Sequence, residues 1–187
     1  MLEYNEVKEH KYIIFEDEPY EVLSSHVFRK QQRKPVNAAK LRNMLTGRIV
    51  EHSFQSSDKV HEADLVKGEV KFIYTNRGEY WFSDPADPSK RFKIEESMLG
   101  PQIKFIKPNS LATSLSFDEK IIGVKLPIKV DLKVTEAVDA VKGNTVQGGT
   151  KSVKLETGAE VYVPMFINEG DTIRVNTETG QYVERAN

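Results

Sequence analysis

Apolar residues in this chain recur mainly at every second position, and helical spacing is scarce. "YIIFEDEPYEVLSS" reads as a strand, an acidic turn around Asp17, and a second strand from Tyr20 to Leu23. "EVKFIYTNRGEYWFSD" is the clearest hairpin. Val70, Phe72, Ile73 and Tyr74 precede a turn at Asn76-Arg77-Gly78, and Tyr80, Trp81 and Phe82 follow it. Asn and Gly in that turn tolerate positive φ. "IIGVKLPIKVDLKVTEA" alternates from Val124 to Val134 as one half-buried strand would, and "AEVYVPMFI" and "DTIRVNTETGQYVER" repeat the pattern. Short strands broken by Gly, Pro and Asn predict an all-β chain of small barrels. Polar joints near His61–Glu69 and Leu126-Pro127 divide it into 1–63, 64–126 and 127–187. One segment departs from this pattern. "AAKLRNMLTG" combines strong helix formers with a Gly at a plausible C-cap, so propensity alone predicts a helix there.

A length of 187 residues suits two or three small domains, and 39% hydrophobic residues can bury several modest cores. Cysteine is absent, which excludes disulfides and thiolate metal sites and suits a reducing compartment. The N-terminus carries no basic and apolar signal pattern, and no apolar run is long enough to span a bilayer. A cytoplasmic protein without a membrane partner is the expectation.

The formal net charge of −1 conceals a strong asymmetry. No Asp or Glu lies between Glu21 and Glu51, whereas Arg29, Lys30, Arg33, Lys34, Lys40, Arg42 and Arg48 do. Those seven leave 20 of the 27 cations against 28 acids elsewhere, a basic arm on an acidic body. Two readings are open. The arm is a polyanion-binding surface, where each cation meeting a phosphate releases counterions, or it is a solvated hairpin face.

Catalytic patterns are missing. His10, His26, His52 and His61 are scattered and share no metal-ligand spacing. There is no Gly-x-Ser-x-Gly elbow, no GxGxxG and no Walker-type phosphate loop. Neither an enzyme nor a bound cofactor or metal is expected. The Gly-rich "VKGNTVQGGTKS" remains. Gly143, Gly148 and Gly149 would let backbone N–H groups approach a phosphate or base, and Asn144 can pair with a base edge. The plainer reading is a mobile loop between two strands.

The C-terminal third carries a more specific pattern. In "KSVKLETGAEVYVPMFINEG", Lys151, Val153, Gly158, Val161, Val163, Pro164, Ile167 and Gly170 resemble the signature of bacterial elongation factor P. Only Val153 departs, where the family usually has Ala. "EPYEV", "KLRNMLTG" and "ADLVKGEVKFIYTNRGEYWF" also sit where that family places comparable segments, so the resemblance covers essentially the whole chain. It implies an SH3-like (KOW-like) first barrel and two OB-fold barrels in an L-shaped, tRNA-like arrangement. It further implies a monomer that binds the ribosome, rRNA and ribosomal proteins alike, between the P and E sites and relieves stalling at consecutive prolines. The first domain would contact peptidyl-tRNA, with its tip (Arg29, Lys30, Gln31, Gln32, Arg33, Lys34) at the CCA end and Lys40 and Arg42 on the tRNA backbone. The loop at Gly143, Asn144, Thr145, Gly148 and Gly149 would approach mRNA at the E-site codon, with Asn144 replacing the family's Asp. The segment that propensity makes a helix becomes, by the same resemblance, a strand near Ala39 to Leu45.

The tip itself departs from the family. Members usually carry Pro-Gly-Lys-Gly or Pro-Gly-Arg-Gly there, with the Lys or Arg often extended by a β-lysyl, aminopentanol or rhamnose group. The ungapped alignment puts Lys30-Gln31-Gln32-Arg33 on that motif and Gln32 on the modified position. Gln offers neither an amine nor a guanidinium for those reactions. The loop therefore works unmodified, or Lys30 or Lys34 is modified after a register shift, or the chain is a divergent paralogue acting on another ribosomal state. The first is favoured, because neither flanking anchor leaves room for a shift. From a different class, a β-barrel interaction module could dock an acidic protein through the same basic hairpin.

Overall fold

The computed structural model describes residues 1–29, 34–137 and 149–186. Its architecture is all-β, with three short 3-10 turns at Tyr4–Glu6, Glu96–Met98 and Pro101–Phe105. By Cα proximity the chain forms two compact units, Met1–Gly68 with Ser114–Val124 and Glu69–Thr113 with Lys125–Asn187.

The first sheet contains β1 (Leu2–Glu3), β2 (Tyr12–Phe15), β3 (Glu18–Phe28), β4 (Val36–Asn43), β5 (Ile49–Gln55) and β6 (Lys59–Glu62), in the order β1-β6-β2-β3-β4-β5. Alternation along β4 turns Asn37, Ala39 and Leu41 inward, against a core of Val7, Ile13, Val22 and Phe54. The β2–β3 turn is made by Glu16 and Asp17, both at positive φ (51° and 62°). That conformation matches the twist of a tight hairpin.

The segment with helical propensity is a strand. β4 lies between β3 and β5 and pairs with both, which a helix would forfeit. Tertiary pairing thus overrides local preference. The strand ends at Asn43, short of the expected Leu45. There the Asn43 Oδ1 accepts from the backbone N–H groups of Leu45 (2.8 Å) and Thr46 (2.9 Å) and turns the chain.

The second sheet contains β7 (Val66–Asn76), β8 (Glu79–Ser83), β9 (Arg91–Glu95), β10 (Leu111–Phe117) and β11 (Lys120–Lys125), in the order β11-β10-β7-β8-β9. The β7–β8 turn is the expected one, with a difference in detail. Positive φ falls on Arg77 (50°) and Gly78 (79°), while Asn76 stays in the strand opposite Glu79. Phe72, Phe82 and Phe92 line up across three strands on one face with centroid separations of 5.5 Å, Phe82 stacked on Phe92 and tilted against Phe72.

The third sheet contains β12 (Lys129–Ala137), β13 (Thr150–Leu155), β14 (Glu160–Pro164), β15 (Thr172–Asn176) and β16 (Gln181–Ala186), ordered β14-β13-β12-β15-β16. Leu132, Val134, Val163, Ile167, Ile173 and Val175 fill its core. The alternating run from Val124 to Val134 is two strands rather than one. Pro127 has no N–H for a ladder, and the chain leaves β11 at Lys125 to begin β12 at Lys129. Thr177 secures that break, its hydroxyl donating to the Pro127 carbonyl (2.8 Å) and its N–H to that of Ile128 (2.8 Å). Among the described residues, no helix is long and apolar enough to cross a membrane.

Candidate nucleic-acid interface

The basic arm of the sequence is the β3–β4 hairpin. The two strands pair from Tyr20↔Asn43 to Phe28↔Val36, with a bulge between Val22 and Ser24. Arg29 and Lys34 stand exposed just beyond the last rung. Lys30, Gln31, Gln32 and Arg33 lie outside the described residues.

Three sets of contacts anchor this hairpin. Asn37 is fully buried, and its Nδ2 donates to the carbonyls of Tyr4 (2.7 Å) and Val7 (2.8 Å), tying the outer end of β4 to the N-terminal segment. At the inner end Arg42 Nη2 donates to Glu21 Oε2 at 2.5 Å, with both side chains nearly buried. Beside it Asn43 donates to the Glu18 carboxylate, and the Met44 N–H bonds the Pro19 carbonyl. These bonds fix the two strands in register, although the Asn37 Oδ1 and Arg42 Nε atoms are buried without a partner among the described residues.

The expected contact residues therefore separate. Lys40 is exposed on the outer face, opposite Ser24 on β3 and Glu51 on β5. Arg42 is on the same side but is neutralised by Glu21 and withdrawn from solvent. The Arg42 charge is engaged within the hairpin by Glu21, whereas that of Lys40 is open to solvent.

Sequence reasoning missed two neighbours. Their register puts His26 and Phe28 on the same outer face as Lys40, and their rings stack at 6.1 Å with 14° between planes. The signal available was period-two spacing toward the basic tip, which makes an aromatic step beside cations.

In the third sheet the Gly-rich segment connects β12 to β13. Gly143, Asn144, Thr145 and Gly148 lie outside the described residues, and Gly149 directly precedes β13. Around the β12–β13 pair, Lys154 Nζ bonds Glu136 at 3.0 Å.

Elsewhere an apolar cleft of about 380 Å³ is lined by Phe105, Leu111, Leu126, Pro127 and Leu132 together with Lys107 and Asp131. Its polar groups are already engaged. Arg174 grips Asp131 with bonds of 2.8 and 3.0 Å, and Lys107 donates to the Asp131 carbonyl (3.2 Å) and reaches Glu156 (3.5 Å). Donation by Arg174 holds the Asp131 carboxyl below the usual carboxylate range. Such a lining lacks a poised acid–base pair. Among the described residues no cluster of His, Asp and Glu is suited to a metal ion.

Residues 3–60 match the family described as Elongation factor P (EF-P) KOW-like domain, and residues 130–185 match Elongation factor P, C-terminal. Elongation factor P of Endomicrobium trichonymphae is 32% identical over 186 residues, covering 100% of each chain. That of Carboxydothermus hydrogenoformans is 34% identical over 185 residues, covering 99% of this chain and 100% of its own. For Desulfotalea psychrophila the identity is 36% over 185 residues, with 99% and 98% covered.

Proposed function

The chain belongs to the elongation factor P family of translation factors, and from that premise we propose that it binds the ribosome between the P and E sites and promotes peptide-bond formation at proline-run stalls. The three sheets would then correspond to domains 1–63, 64–126 and 127–187 of a cytoplasmic monomer. The first domain's hairpin would lie along the acceptor arm of the peptidyl-tRNA, with Arg29 to Lys34 at the CCA end. Lys40, beside the His26–Phe28 step, would meet the tRNA backbone.

The observation that carries this reading is the anchoring of the hairpin. Exposed cations beyond the Phe28↔Val36 rung are borne on strands locked by Asn37 and by the Glu21–Arg42 pair. A positional mechanism needs that stiffness. The factor contributes no reacting group. It would hold the peptidyl-tRNA ester where the incoming amine attacks, replacing lost orientation with binding energy. Gln32, at the family's modified position, would act unmodified through its amide donor and acceptors, while the flanking cations supply affinity. In the third domain, Gly143 to Thr145 with Gly148 and Gly149 would approach mRNA at the E-site codon, Asn144 hydrogen-bonding without charge.

Ribosome cosedimentation at physiological salt tests the reading. Charge reversal at Arg29, Lys30, Arg33 and Lys34 is expected to abolish binding to ribosomes carrying peptidyl-tRNA. Binding that persists unchanged would move the contact to a protein-docking surface elsewhere.

A further inference from the structure

A second aromatic step lies on the outer face of the second sheet. Tyr74 on β7 pairs across to Trp81 on β8, and Trp81 pairs to Lys93 on β9. The Tyr74 and Trp81 rings stack at 6.0 Å with 18° between planes, and the Lys93 ammonium lies 5.9 Å from the Trp81 ring. The row thus runs cation, indole, phenol. It is open at the phenol end: β10 begins only at Leu111, and the chain leading into it bonds β7 at Phe72, where the Phe72 N–H donates to the Ser110 carbonyl (2.9 Å). Tyr74 is 41% exposed, although its ring is the size of a core residue. The Trp81 Nε1–H is buried and finds no acceptor among the described residues.

The charges beside this row are ordered. On the same face, the next rung away from the turn is Lys71↔Ser83↔Arg91, where two cations flank the buried Ser83. Two residues of strand are about 6.7 Å, comparable to the distance between a nucleobase and its own phosphate. Acids bracket the band. Glu69 lies beyond Lys71, and Glu79 and Glu95 form the rung toward the turn, where Lys93 takes up Glu79 in an ion pair. The cationic width is one rung.

We propose that Tyr74 and Trp81 form a stacking site for an unpaired RNA base, whose phosphate is held by Lys71 and Arg91. Aromatic stacking accepts any base and suits RNA loops and single strands, whose bases can be splayed onto a ring. A protein partner would equally use the rings, but the adjacent two-cation rung fits a phosphate better than an apolar side chain. This surface is additional to the β3–β4 hairpin of the proposed function and uses none of its residues.

Trp81 is the chain's single tryptophan, so its emission reports this site alone. The full chain is titrated with a short unstructured oligoadenylate at low salt. Saturable quenching is expected, retained in Tyr74→Phe and in the Arg29→Glu/Lys34→Glu variant. Tyr74→Ala should weaken it roughly 5- to 140-fold, the range for removal of one stacked base. Lys71→Glu with Arg91→Glu should weaken it and flatten its salt dependence. Absence of saturable quenching, or quenching indifferent to Tyr74→Ala, overturns the proposal. If ribosome cosedimentation then still depends on Arg29 and Lys34, the hairpin reading stands without this one. If cosedimentation needs Tyr74 while oligoadenylate leaves Trp81 unquenched, the face docks protein and the RNA assignment is overturned.

Discussion

Arg42 donates to Glu21 at 2.5 Å from a site where the two side chains are only 11% and 10% exposed. A charge at that depth without its partner is costly. Arg42→Met should destabilise the chain by about 3 kcal/mol, whereas Arg42→Met combined with Glu21→Leu should recover most of the loss. Urea denaturation of the two single variants and the double variant closes the cycle. Additive losses would mean that the two charges are not coupled.

Asn37 supports the opposite end of the hairpin. Replacing it with Leu removes both amide hydrogen bonds to the Tyr4 and Val7 carbonyls. We expect a loss of about 2–3 kcal/mol, with amide exchange accelerating first along β4. Unchanged exchange there would show that the N-terminal segment does not hold the strand.

The cations should sort by exposure. Lys34→Ala and Lys40→Ala are each expected to lower the slope of log K against log salt by roughly 0.7–0.9 for every phosphate left without its cation. The Arg42→Met/Glu21→Leu pair should leave that slope unchanged. A slope that falls with the double variant would mean that Arg42 itself meets a phosphate.

Arg174 bonding lowers the Asp131 carboxyl below its ordinary pKa. A depressed folded-state pKa contributes stability that is present above the unfolded value of about 3.9 and is lost as pH falls through the folded one. Asp131 is exposed, so the effect is small and screened by salt. Melting temperatures of wild type and Asp131→Asn should differ at neutral pH and converge below about pH 4. A constant offset across that range would rule out the linkage.

Much of the fold was legible because its cores obey period two. The turn at Glu16-Asp17, the aromatic hairpin closed by Arg77-Gly78 and the alternation of β12 all follow from residue type and spacing. Ala38 to Asn43 were not, since their propensity is helical and only pairing with β3 and β5 makes them a strand. The break at Pro127 was visible as a joint but concealed by apolar residues on both sides. At the candidate interface, charge density revealed the hairpin. It could not separate exposed Lys40 from buried Arg42, because Glu21 lies far away in sequence and meets Arg42 only through strand register. The stacking of Tyr74 on Trp81 was hidden likewise, since a bulge between Phe72 and Tyr74 decides which face Tyr74 joins.

The central claim is that this chain relieves ribosomes stalled on prolines through an unmodified tip. The direct measurement is reconstituted translation of a proline-run message with recombinant protein whose intact mass equals that of its sequence. Full-length product is expected to rise with wild type and to fall back with Gln32→Ala, while a message without prolines is indifferent to both. Wild-type protein that leaves the stall in place, or that gains activity only after a mass is added to the 28–42 peptide, would contradict it.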